Sequence, residues 1–141
     1  MFVVVALFLA VLWRRPWLFV AVLAADAAAD AISLGLRDWI DRRRPPLVYA
    51  EPKPLVGVPH SGSFPSGHAA TAFACATLIA WAAPRLAVPA FVLAAAISWS
   101  RVYVGVHWPL DVAGGALLGT ATALLLLAAV RRRSGVPLRS G

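Results

Sequence analysis

Two histidines, one aspartate and three arginines in this chain stand in polar clusters that interrupt long apolar runs. Pro65-Ser66-Gly67-His68 lies at the mouth of one such run. Ser66 suits the N-cap of a helix, whose first turn leaves N–H groups without partners. Those donors and the helix dipole make an anion site, and Gly67 lets an anion approach the backbone closely. His68 then lies within reach of whatever is held there. The same residues also fit a capped helix with an interfacial histidine, so the triplet alone does not decide.

Ser100-Arg101, Gly105, His107 and Asp111 form a second cluster. His107 and Asp111 are four apart and flank Pro109, which is at home in the first turn of a helix. A carboxylate there reaches one imidazole nitrogen, fixing the tautomer and leaving the other nitrogen free to attack. A helix-capping aspartate beside an interfacial histidine is the plainer alternative. Arg101 near a helix end calls for an anionic partner, because a lone buried guanidinium is costly. Arg37 and Arg44-Pro45 end another apolar run and open the loop that follows it.

Taken together, the arginine forks match phosphate oxygens. One histidine can attack phosphorus while the other protonates the departing oxygen, and no metal is then required. Metal ligation is the rival use of two histidines and an aspartate. Three neighbouring arginines would repel a cation, and no zinc-like His spacing occurs. The single cysteine, Cys75, offers neither a disulfide framework nor a thiolate site.

The elements that must position these residues are membrane helices. The chain is 61% hydrophobic and 13% charged, against roughly half and a quarter in soluble domains. Spanning the hydrocarbon takes roughly 20 apolar residues. Residues 17–36, 65–83, 86–104 and 110–130 each come close, and 2–13 supplies a shorter fifth segment. The basic balance of twelve arginines and one lysine forms no basic face with interleaved aromatics, which argues against nucleic acid. The long loop, residues 37–64, carries five prolines and lies on one side with the N-terminus and the 101–109 segment. Seven arginines lie on the other side, so the positive-inside bias puts the tail in the cytoplasm and the polar clusters outside. All three clusters fall on that outer side.

Asp26, Asp30, Ser33 and Arg37 share one helical face. Either the stripe faces the bundle interior and anchors Arg37, or the aspartates are protonated and merely hydrogen-bonded. His60 reads as a solvated loop residue. Gly115 and Gly119 have the spacing that lets the last helix approach its neighbours. The six tryptophans lie near helix ends, as interfacial anchors do.

In chain order, Arg37-x6-Arg44-Pro45, Pro65-Ser66-Gly67-His68 and Ser100-Arg101-x3-Gly105-x-His107-x3-Asp111 resemble the three signature motifs of the type 2 phosphatidic acid phosphatase family. That family includes lipid phosphate phosphatases and shares its site with vanadium haloperoxidases. The resemblance implies an all-α, polytopic transmembrane helix bundle, and the apolar segments of this chain number about five helices. It would form one membrane-embedded domain over 1–141, with its motif core at 37–111. It also implies a metal-independent phosphatase that removes a terminal phosphate through a phosphohistidine. His107 would be the nucleophile, Asp111 its orienting partner and His68 the general acid. Arg37, Arg44, Ser66, Gly67 and Arg101 would hold the phosphate.

No metal or other cofactor is expected, and the partners are the bilayer and a membrane lipid phosphate. A polyprenyl diphosphate in a bacterial plasma membrane is the first substrate to consider, then phosphatidic acid or phosphatidylglycerol phosphate. A phosphotransferase with a lipid or sugar acceptor, or a non-catalytic lipid-phosphate binder or transporter, is the alternative. The family's first motif usually opens with Lys where this chain has Arg37, which keeps the charge but changes the reach. Its membrane members usually have six helices.

Overall fold

A computed structural model describes residues 16–49 and 53–134. Four α-helices, α1 (Pro16–Ile40), α2 (Gly67–Ala82), α3 (Ala87–Tyr103) and α4 (Pro109–Ser134), carry most of these residues, and there is no strand among them. The short segment expected over 2–13 lies outside the described residues. Three stretches, Phe19–Leu47, Pro84–Tyr103 and Pro109–Val130, are long and apolar enough to cross a membrane. The protein is an integral membrane protein with an all-helical core.

The shortest helix, α2, lies at the centre and touches each of the other three. Its composition explains that position. Ala69, Ala70, Ala72, Ala74, Cys75 and Ala76 are buried around its whole circumference, with no polar stripe to face solvent. Small side chains let backbones approach closely, which is how helices associate in lipid. The last helix uses the same device. A Cβ added to Gly119 would fall on the carbonyl of Ala70, and one on Gly115 would fall on that of Ser66. These two glycines therefore set the close α2–α4 crossing.

The helix ends bring the polar clusters together. One turn beyond the expected end at residue 36, α1 continues to Ile40 and so carries Arg37 on the helix itself. It closes where the Asp41 N–H donates to the Arg37 carbonyl at 2.9 Å, with Asp41 left-handed at φ 45°. At the far end of α3, the Val104 N–H meets the Ser100 carbonyl at 3.0 Å and the Gly105 N–H meets Val102 at 3.0 Å. Gly105 takes φ 78°, which a side chain would strain, and this turns the chain back into α4. The long loop is tied over that turn by Leu55 N–H to the Val104 carbonyl at 3.1 Å.

Candidate active site

His107 and Asp111 lie in the turn and first turn of α4, 5% and 0% exposed. Trp108 is the residue before the helix, and its N–H donates to Asp111 Oδ2 at 2.8 Å. That is the backward half of a capping box, with the third helical residue satisfying the cap N–H. The same Oδ2 lies 3.5 Å from His107 Nδ1. Asp111 therefore caps the helix while the same oxygen stands near the imidazole. Nδ1 makes no formed hydrogen bond at this separation.

Arg44 fixes the other face of the ring. It is 1% exposed, and its Nη1 lies 3.3 Å from His107 Nε2. A guanidinium only donates, so Nε2 presents a lone pair and the ring proton belongs on Nδ1, toward Asp111. The rest of the fork is held by main chain. Nε donates to Ser61 O at 3.0 Å, Nη1 to Val106 O at 2.9 Å and Nη2 to Gly62 O at 3.0 Å. The buried cation is thus satisfied by carbonyls of the loop and of the α3–α4 turn, which it pins together.

The start of α2 joins this pair directly, because the Ser66 N–H donates to the Asp111 carbonyl at 2.9 Å. Ser66 occupies the N-cap position, as expected, yet its hydroxyl makes no cap bond. Its Oγ is buried with no partner. Burying a hydroxyl without a hydrogen bond is unfavourable, so a wasted donor at a helix mouth points to a ligand. Gly67 lies under Arg37. A Cβ there would come to 3.0 Å from Arg37 Nη2 and 3.2 Å from Ser33 Oγ.

On α1, Arg37 is held by Ser33. Its Nε donates to the Ser33 carbonyl at 3.2 Å, its Nη2 reaches Ser33 Oγ at 3.3 Å, and Asp30 Oδ1 stands 3.8 Å away. Asp26 does not take part, facing the Cys75 thiol instead at 3.8 Å. Arg101 donates from Nε to Ser100 Oγ at 3.1 Å and has no carboxylate partner among the described residues. His68 is exposed at the mouth, within electrostatic reach of Arg101, His107, Arg37 and Asp30. Every residue singled out in the three motifs thus lies at one end of the bundle. His60 is exposed in the loop, as anticipated.

Sequence reasoning missed Arg42, which donates from Nη1 to Asp111 Oδ1 at 2.8 Å. Within three consecutive arginines nothing marks which one turns inward. Trp108 has the place of an interfacial anchor in the sequence, but its indole N–H donates to the Arg43 carbonyl at 3.0 Å and its ring lies under Arg42. Ser61 and Gly62 look like any loop residues, because a sequence carries no signal for carbonyls that receive an arginine.

The PAP2 superfamily profile matches residues 15–134. The chain belongs to the PAP2 superfamily. An undecaprenyl-diphosphatase of Sulfolobus acidocaldarius is 41% identical over 81 residues, covering 57% of this chain and 37% of the relative. This PAP2 chain therefore spans well under half of that relative's length. The solved structure of LpxE from Aquifex aeolicus superposes with a TM-score of 0.78 at 29% identity, covering 88% of this chain and 74% of that one. A transmembrane PAP2-type phosphatidylglycerolphosphate phosphatase from Bacillus subtilis gives 0.72 at 29% identity, covering 93% and 67%.

Proposed function

We propose that the chain is one membrane-embedded phosphatase domain that removes a terminal phosphate from a lipid phosphate or diphosphate through a phosphohistidine. The single observation that carries this reading is His107, whose Nε2 lone pair lies beside a buried guanidinium while Nδ1 faces a fully buried carboxylate. In the first step the Nε2 lone pair leaves Arg44 Nη1 and attacks phosphorus, and the bond from phosphorus to the leaving oxygen breaks. His68 gives that oxygen a proton, and Asp111 stabilises the imidazolium that has formed on His107. In the second step His68 takes a proton from water, the hydroxide attacks phosphorus, and the bond to Nε2 breaks.

Charge on the transferring group would be met by Arg37, Arg101, the Ser66 hydroxyl and the N–H groups opening α2, with Arg44 adding the Nη1 donor that faces His107 Nε2. Electrostatic preorganisation of this kind is usually the largest contribution to such catalysis. Support for a lipid tail comes from an apolar cleft of about 350 Å³ lined by Phe73, Ala95, Trp99, Val102, Pro109 and Val112. Val102 and Val112 adjoin Arg101 and Asp111 in the chain, so a headgroup at the arginines leaves its hydrocarbon facing the cleft and the bilayer. The similarity to an undecaprenyl-diphosphatase and to a phosphatidylglycerolphosphate phosphatase brings both prenyl and glycerol phosphates into the substrate class. The arginine bias between the two sides favours an extracytoplasmic site.

The test is phosphate release in detergent, with EDTA present, from a polyprenyl diphosphate, phosphatidic acid and phosphatidylglycerol phosphate. Metal-independent release that His107→Ala abolishes is expected. Binding of these lipids without release would favour a binding or transport protein, and phosphate appearing on an added alcohol in place of water would favour a transferase.

A further inference from the structure

Asp111 has two oxygens with separate duties, and the element that divides them is Arg42. Oδ2 receives the Trp108 N–H at 2.8 Å and faces His107 Nδ1. Oδ1 receives Arg42 Nη1 at 2.8 Å. Resting on the reading of His107 as nucleophile, we infer that Arg42 is a positioning residue that sets the plane of the Asp111 carboxylate and thereby the negative charge that meets the His107 imidazolium.

Three observations separate this from an ordinary surface ion pair. First, the Asp111 side chain is 0% exposed while Arg42 is 37% exposed, so the contact is made at the buried end of the arginine. No other arginine or lysine is ion-paired with Asp111 among the described residues. Second, the guanidinium is held on its own account. Its Cζ lies 5.6 Å from the centre of the Trp108 ring, and Tyr49 meets the same ring edge-on at 5.9 Å. Third, the backbone that carries it is fastened, since the Arg42 carbonyl accepts the Ser63 N–H at 2.8 Å and the Arg43 carbonyl accepts the Trp108 indole N–H at 3.0 Å.

An aspartate needs such an anchor because the terminal torsion of its side chain is broad and roughly two-fold. The Trp108 N–H on Oδ2 and the Ser63 hydroxyl beside the carboxylate are neutral donors. The charged bond from Arg42 on Oδ1 adds the strongest hold and keeps Oδ2 toward Nδ1. With Arg44 donating toward Nε2 from the opposite side, the imidazole is bracketed. Arg42 acts through Asp111, and its side chain makes no hydrogen bond to His107 among the described residues.

The experiment compares Arg42→Met and Arg42→Lys with wild type, alone and in an Asp111→Asn background, by steady-state kinetics and by NMR of the His107 ring nitrogens. Arg42→Met is expected to lower kcat roughly 10–100-fold, the range typical of residues that orient a reacting group. KM stays within roughly threefold, because phosphate binding is untouched. Arg42→Lys recovers most of the loss. On the Asp111→Asn background, Arg42→Met changes kcat by less than about twofold, since the group through which it acts is already altered. Both proteins keep the Nδ1–H tautomer that Arg44 imposes, and the Nδ1 signal shifts in Arg42→Met as the carboxylate beside it turns. Equal losses in both backgrounds, a rise in KM with kcat intact, or an unchanged Nδ1 signal would each overturn the assignment. A wild type that hydrolyses no lipid phosphate would defeat the proposed function instead, and the NMR comparison would still decide the role of Arg42.

Discussion

Replacing Ser66 by Ala separates a helix cap from a phosphate ligand, because the two roles change stability in opposite directions. A serine that caps a helix loses about 1 kcal/mol of stability when it becomes alanine. Here the hydroxyl is buried and has no partner, and an unpaired buried hydroxyl costs on the order of 1–3 kcal/mol in protein mutational data. Ser66→Ala should therefore leave the ligand-free protein unchanged or up to about 1 kcal/mol more stable. With phosphate present the balance reverses. A hydrogen bond to a charged group contributes roughly 1.5–3 kcal/mol, or about 10- to 150-fold in affinity. Thermal melting in detergent, with and without orthophosphate, reads both effects, and kcat/KM should fall by a similar factor. A variant that melts lower without ligand yet keeps full turnover and phosphate affinity would refute the reasoning and make Ser66 an ordinary cap.

Other substitutions probe the remaining contacts. Arg44→Lys keeps the charge but cannot reach three diverging carbonyls, and each orphaned one costs about 1–3 kcal/mol. Denaturation should show a loss of several kcal/mol. Asp111→Asn should lower kcat by roughly 10²–10⁴ through loss of the imidazolium partner, measured by steady-state phosphate release. Asp30→Asn should change KM little, since Asp30 is 52% exposed and 3.8 Å from Arg37, a pair worth less than about 1 kcal/mol. Gly119→Leu should force α4 away from the Ala70 carbonyl and destabilise the bundle by about 1–3 kcal/mol or more, read by thermal melting.

What the sequence made legible follows from which signals survive without a partner. Apolar runs of membrane length are local, so the spans near 17–36, 86–104 and 110–130 emerged within a few residues of α1, α3 and α4. Spacing within one helix is local as well, and it put Ser33, Asp30 and Arg37 on one face, where the structure joins them. The motif residues lie far apart in the chain but alternate with the spans, so hydropathy alone brought them to one end. Contacts across the loop were another matter. The Arg42–Asp111 pair spans 69 residues and sits in a run of identical side chains, so no pattern distinguishes it. Hydropathy ended the span at residue 36 because a charged residue closes an apolar run, although the shared face of Asp30, Ser33 and Arg37 already implied a helix through Arg37, and α1 runs on to Ile40. Trp108 resembles any interfacial tryptophan until its indole is seen on the Arg43 carbonyl.

The central claim is that His107 carries the phosphoryl group. The most direct measurement is to mix the protein with a lipid radiolabelled in its terminal phosphate, quench it within the first turnover, and map the label. An acid-labile, base-stable phosphate on His107, present in wild type and absent in His107→Ala, is the predicted result. Turnover with no label on the protein, or label on another residue, would contradict it.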